Sequence, residues 1–118
     1  MTLKEGYALL GGSYDELMQR MLKEDRICKY LNKLLQNPVM RNLEEALEKG
    51  DCDNAFREAH NLKGTCAMLE LGKLSNSASE LTEALRGGEI GADVPELWAK
   101  VQKEFKETAA IIEQMVAN

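Results

Sequence analysis

Between Ala55 and Leu69 the apolar residues Ala55, Ala59, Leu62, Cys66 and Leu69 recur at alternating steps of four and three. That interval returns a side chain to the same face of an α-helix, whereas a strand needs steps of two. Leu17, Met21, Cys28, Leu31 and Leu35 repeat the pattern, with Met18 and Leu22 as a second apolar edge. So do Val39, Leu43, Ala46 and Leu47, then Leu74, Ala78, Leu81 and Leu85. The last stripe is Leu97 with Trp98, Val101, Phe105, Thr108, Ile112 and Met115. No segment alternates as a strand would, and the chain is rich in the good helix formers Leu, Glu, Lys, Ala and Met. Helices with one apolar stripe must pack stripe to stripe.

The punctuation between the stripes sets the helix boundaries. A short first helix over Thr2 to Leu10 closes at Gly11-Gly12. Ser13 then reads as an N-cap, with Glu16 completing a capping box, and opens a helix that runs to about Gln36. Asn37-Pro38 stops it, because the residue before proline resists the α conformation. Gly50 ends the third helix, and Asp51 or Asp53 caps the fourth. Gly87-Gly88 ends the fifth, and Asp93 caps the sixth, with Pro95 in its first turn. Short connections make neighbours antiparallel. The expected fold is all-α, an up-and-down four-helix bundle with short additional helices at the N-terminal end. The second, fourth, fifth and sixth helices form the core, and the first and third cover an end. The 118 residues have room for one core, so residues 1–118 are read as a single domain.

Composition narrows the function classes. Hydrophobic residues at 44 % and charged residues at 30 % suit a folded soluble protein rather than a disordered one. A net charge of −5 argues against nucleic acid, which needs a basic surface. No apolar run is long enough to span a bilayer, and MTLKEGYALLGG lacks the features of a secretory signal. Cys28, Cys52 and Cys66 are odd in number, and two of them sit in apolar patterns, which reads as free thiols in a reducing cytoplasm.

On a helical wheel at about 100° per residue, the fourth helix turns its apolar sector inward and leaves His60, the chain's one histidine, outside it. Gly64 and Ala67 lie on the histidine side, and Lys63 sits between that side and the core edge. A glycine inside a helix costs roughly 1 kcal/mol relative to alanine, and a surface position gains nothing from it unless something approaches closely. Imidazole titrates near pH ~6.5 and so keeps a neutral, nucleophilic nitrogen available near neutrality. A neighbouring lysine can offset the charge of a phosphoryl group.

The segment Ala59-His60-Asn61-Leu62-Lys63-Gly64-Thr65 resembles the signature of histidine-containing phosphotransfer (HPt) domains. That signature is His, a variable residue, a hydrophobe, Lys, Gly and a small residue. The Gly50-Asp51 break upstream and Leu74, Leu81 and Glu83 downstream are similar to the family's layout, over about Leu3 to Met115. The resemblance implies a phosphorelay carrier. His60 would accept a phosphoryl group through Nε2 from the aspartate of one receiver domain and pass it to another. Lys63 would stabilise its charge, and Gly64 would admit the receiver. Thr65 would bond back to the preceding turn. The implied partners are response-regulator receivers and a hybrid sensor histidine kinase. The carrier needs no cofactor of its own; Mg²⁺ belongs to the receiver. The family's habits further imply a monomer, in keeping with the cytoplasmic location read from the cysteines, and the Met1 start and compact length lean towards a free-standing protein. One position departs from the family. Ten residues after the histidine, where a glycine is usual, stands Glu70, with glycine only at Gly72. The turn there is expected to be shifted or built differently.

His60 and Cys66 lie about 120° apart on the helix, and no CxxC or HxxxH spacing exists, which speaks against a metal site and against Cys–His catalysis. Met21, Met115 and Trp98 read as packing, Met18 and Met68 as edge packing or part of a docking surface. Glu44, Glu45 and Glu48 form a solvated face. Gly11-Gly12 and Gly87-Gly88 lack the context of a nucleotide loop, so the chain is not expected to be a kinase by itself. The rival reading is a non-catalytic helical adaptor that binds a receiver or another signalling protein.

Overall fold

The computed structural model describes residues 1–116. Among them are seven helices and no strand: α1 (Leu3–Leu10), α2 (Tyr14–Met21), α3 (Glu24–Gln36), α4 (Val39–Glu48), α5 (Cys52–Met68), α6 (Gly72–Leu85) and α7 (Val94–Val116). The all-α bundle stands. α5, α6 and α7 pack each against the next, and α4 lies along the first turns of α5. α3 touches α7 and shares a groove with the middle of α5. α3 and α4, joined at Asn37-Pro38, therefore share the fourth side of the bundle. α4 is part of that wall, not a cover for an end, and its stripe of Val39, Leu43 and Ala46 is buried. The predicted stripes of α5 and α6 are buried in full.

Residues 13–36 do not form the single helix expected. A continuous helix would carry Glu24 or Asp25 into the apolar stripe between Met21 and Cys28. The chain breaks instead at Leu22, which takes a left-handed φ of 70° and donates its N–H to the Met18 carbonyl at 2.8 Å. α3 then restarts with Glu24 and Asp25 in its first turn, where carboxylates meet the positive end of the helix dipole. Its core stripe becomes Ile27, Leu31 and Leu34, with Cys28 and Leu35 only half-buried.

The expected capping box at Ser13 is half made. Ser13 Oγ accepts from the Glu16 N–H at 3.1 Å, but the Ser13 N–H donates to Glu70 Oε1 at 3.0 Å, not to Glu16. The complete box lies earlier, between Thr2 and Glu5. Glu70 thus caps a helix more than fifty residues away in the chain.

This contact also explains the missing glycine. α5 closes with the Leu71 N–H bonded to the Cys66 carbonyl at 2.9 Å and the Glu70 N–H bonded to Ala67 at 3.2 Å. That pair of bonds needs a left-handed residue between them, usually glycine. Glu70 adopts it, with φ 59°. The turn is not shifted to Gly72. Its carboxylate reaches Ser13 and also pairs with Arg20 at 3.3 Å, while the same guanidinium donates to the Met68 carbonyl at 2.6 Å. Gly12 and Gly72 are needed for a different reason: a Cβ on either would collide with the backbone of Glu70 or Gly11. The N-terminal helices are therefore laid backbone to backbone on the α5–α6 turn.

Candidate functional site

Asp51 starts α5 by accepting the Asn54 N–H at 3.2 Å. From there Ala55, Ala59, Leu62 and Cys66 face the core with no exposure above 1 %. Alignment of this stripe fixes what faces outward. His60, Gly64, Ala67 and Met68 are exposed, with Met68 at 49 %, and Lys63 is half-buried at the edge towards α6. A Cβ built on Gly64 meets nothing within 4 Å. No neighbour among the described residues demands a glycine there.

His60 is not a free-standing ring. Helical side chains lean towards the N-terminus, and Phe56, one turn earlier, stacks with it at 6.0 Å between centroids and 14° between planes. The Arg86 guanidinium, at the C-terminal end of α6, sits 5.3 Å from the centre of the Phe56 ring, within cation–π range. An open cleft runs between the two helices, lined among others by Phe56, Arg57, His60, Arg86 and Gly88. Glu83 grips Arg86 through two bonds, Nε to Oε2 at 3.1 Å and Nη2 to Oε1 at 2.8 Å. The hydrogen bonds from Arg86 hold the Glu83 carboxyl below its ordinary range, with the charges of Arg86 and Lys63 acting in the same direction.

On the other flank, Tyr30 and Lys33 of α3 line a groove with Asn61, Leu62 and Thr65. Lys33 Nζ lies 5.4 Å over the exposed Tyr30 ring. The structure thus gathers the three residues singled out from sequence, His60, Lys63 and Gly64, on one face of α5. It adds Phe56, Arg57 and Arg86 beside the imidazole and Tyr30 across the groove. Phe56 had a local signal, one turn before His60. Arg86 had none, because only the packed bundle brings the end of α6 to this face.

The cysteines lie elsewhere. Cys66 is fully buried, and burial pushes its thiol up to about 12, which keeps it protonated and inert. Cys52 is buried and donates to the Leu85 carbonyl at 3.4 Å. Among the described residues no group of three or more His, Cys, Asp or Glu could hold a metal ion, and no helix is long and apolar enough to cross a membrane.

Comparison with known proteins agrees with this architecture. No curated protein and no solved structure matches the chain. The model of the Hpt domain family matches residues 28–117, from the first turns of α3 onward, leaving α1 and α2 before the matched region. Three quarters of the chain lie within that match, on an all-helical bundle, and the protein belongs to the Hpt domain family of histidine phosphotransfer.

Proposed function

We propose that His60 is the phosphoacceptor of this domain and that it exchanges its phosphoryl group with the aspartate of response-regulator receivers. One observation carries the reading. The exposed His60 lies one turn from a glycine that costs helix stability and that no contact among the described residues requires. Space left open at that spot suits a partner surface pressed against the helix.

In the step itself, the lone pair of the unprotonated imidazole nitrogen attacks phosphorus as the bond from phosphorus to the aspartyl oxygen breaks. The receiver carboxylate leaves with that electron pair, and the imidazole keeps its proton on the other nitrogen. The return step reverses each change. Mg²⁺ and the acid chemistry belong to the receiver. This chain contributes the nucleophile, the positive charge of Lys63 and a docking face. That face would run along the exposed His60, Gly64, Ala67 and Met68 and across the groove to Tyr30, in the manner of interfaces that ring an apolar centre with polar groups. A hybrid sensor kinase would supply the donor receiver.

The test is intact-mass spectrometry of the purified chain after exposure to a phosphorylated receiver and, separately, to phosphoramidate. One added phosphoryl group, acid-labile and base-stable, is expected on the unsubstituted chain and none on His60→Ala, with helicity unchanged. Uptake retained in His60→Ala would sink the assignment. Failure of the unsubstituted, folded chain to accept from any donor would transfer the assignment to the adaptor reading.

A further inference from the structure

Arg86, the cation that shares a cleft with His60, is already engaged before any phosphoryl group arrives. Arg86 is held by both carboxylate oxygens of Glu83, and the same carboxylate lies within electrostatic reach of Lys63. Arg86 is also the group that overhangs Phe56, and Phe56 is the ring stacked on His60. Arg86 and His60 line one cleft. A phosphoryl group on the imidazole would place a dianion at this cleft and draw on the cations around it. It would do so against a carboxylate that has two hydrogen bonds to lose.

We propose that Glu83 tunes how tightly His60 holds its phosphoryl group, by competing with that group for Arg86. The inference rests on His60 being the carrier and adds a determinant of the transfer equilibrium. Arg86 acts as the cation that the phosphoryl group recruits. Glu83 acts as its resident counter-ion, weakening retention on His60 and so favouring passage onward. Phe56 is a positioning residue: its ring stacks with the imidazole and also lies under the guanidinium. All members of the set are surface groups, Arg86 and Glu83 being more than half exposed. The effect is therefore of the modest size expected for solvent-exposed pairs, and it is screened by salt.

The experiment uses the full chain, loaded with phosphoramidate and then equilibrated with free imidazole. Intact mass reads the phosphorylated protein, and phosphorus NMR reads N-phosphoimidazole. The partition between His60 and imidazole is a ratio that needs no receiver. In Glu83→Gln it should shift towards His60 by about two- to fivefold, and in Arg86→Gln away from it by a similar factor. Arg86→Lys should restore part of the loss. In the double variant Glu83→Gln/Arg86→Gln the gain from Glu83→Gln should shrink, because its target is gone. The shifts should diminish at 1 M salt. A partition unmoved by Glu83→Gln, or moved away from His60, would overturn the inference while leaving the carrier reading intact. Absence of uptake by the unsubstituted chain would overturn both.

Discussion

The turn that enters α5 and the turn that leaves it close with the same backbone bonds. At the entry, Asp51 N–H bonds Ala46 and Gly50 N–H bonds Leu47; at the exit, Leu71 bonds Cys66 and Glu70 bonds Ala67. Each places one residue in the left-handed region, Gly50 at φ 71° and Glu70 at φ 59°. Gly50 stands in open space and serves only its turn. Glu70 pays a steric cost of roughly 1–2 kcal/mol that glycine would not, and its side chain does something glycine could not, tying Ser13 and Arg20 to the end of α5. Between the two turns lies Gly64, a glycine with no left-handed φ and, among the described residues, nothing within 4 Å of where a Cβ would stand. Three positions along α5 and its flanking turns thus separate three reasons for a residue choice: a local backbone need, a tertiary contact within the chain and, on the function proposed above, a demand from outside it.

Filling Gly64 tests that contrast most severely. Gly64→Leu should raise folding stability by slightly under about 1 kcal/mol, since a good helix former replaces a poor one in open space. Phosphoryl transfer with a receiver should fall on the order of a hundredfold, because a small displacement of reacting groups forfeits their alignment. Chemical denaturation and transfer kinetics read the two effects separately. Lower stability would mean that Gly64 serves the fold, and unchanged transfer would mean that no partner approaches there.

How far each reason can be read in the sequence follows from its range. The core stripes are local, so Ala55 to Leu69 and Leu74 to Leu85 sit where their spacing puts them, and with them the outward face of His60, Lys63 and Gly64. The break at Leu22 was visible only as two carboxylates, Glu24 and Asp25, in the path of an apolar stripe, a conflict that a count of apolar matches passes over. Glu70 was recognisable as a departure from the expected glycine, but not its remedy, because Ser13 and Arg20 lie 57 and 50 residues away. Arg86 belongs to the same class. Its place beside Phe56 depends on which end of α6 meets which turn of α5, and no periodicity within α6 encodes that.

A smaller effect should come from Glu70→Ala. Alanine keeps the left-handed strain and forfeits the bonds to Ser13 and Arg20. A destabilisation of about 1–2 kcal/mol is expected, from a part-buried, charge-assisted hydrogen bond to Ser13 and a more exposed pairing with Arg20. Glu70→Gly loses the same contacts but relieves the strain, so it should be more stable than Glu70→Ala by about 1 kcal/mol. Urea midpoints of the three proteins give both quantities. Equal stability of the alanine and glycine variants would show that the turn relaxes out of the left-handed region once the side chain is gone.

The smallest shift is expected at Leu22, the other non-glycine residue with positive φ among the described residues. It resembles Glu70 in backbone and differs in side chain: Leu22 is 67 % exposed, whereas the Glu70 side chain is 20 % exposed and bonded. With little burial to offset the strain, Leu22→Gly should stabilise the chain by about 0.5–1 kcal/mol, opposite in sign to the net change at Glu70→Gly. Thermal unfolding would register that gain as an upward shift of a few degrees for a domain of this size. A loss instead would mean that the leucine, despite its exposure, holds α2 to the bundle. Left-handed strain would then be offset by tertiary contact at both positions, and the contrast between them would disappear.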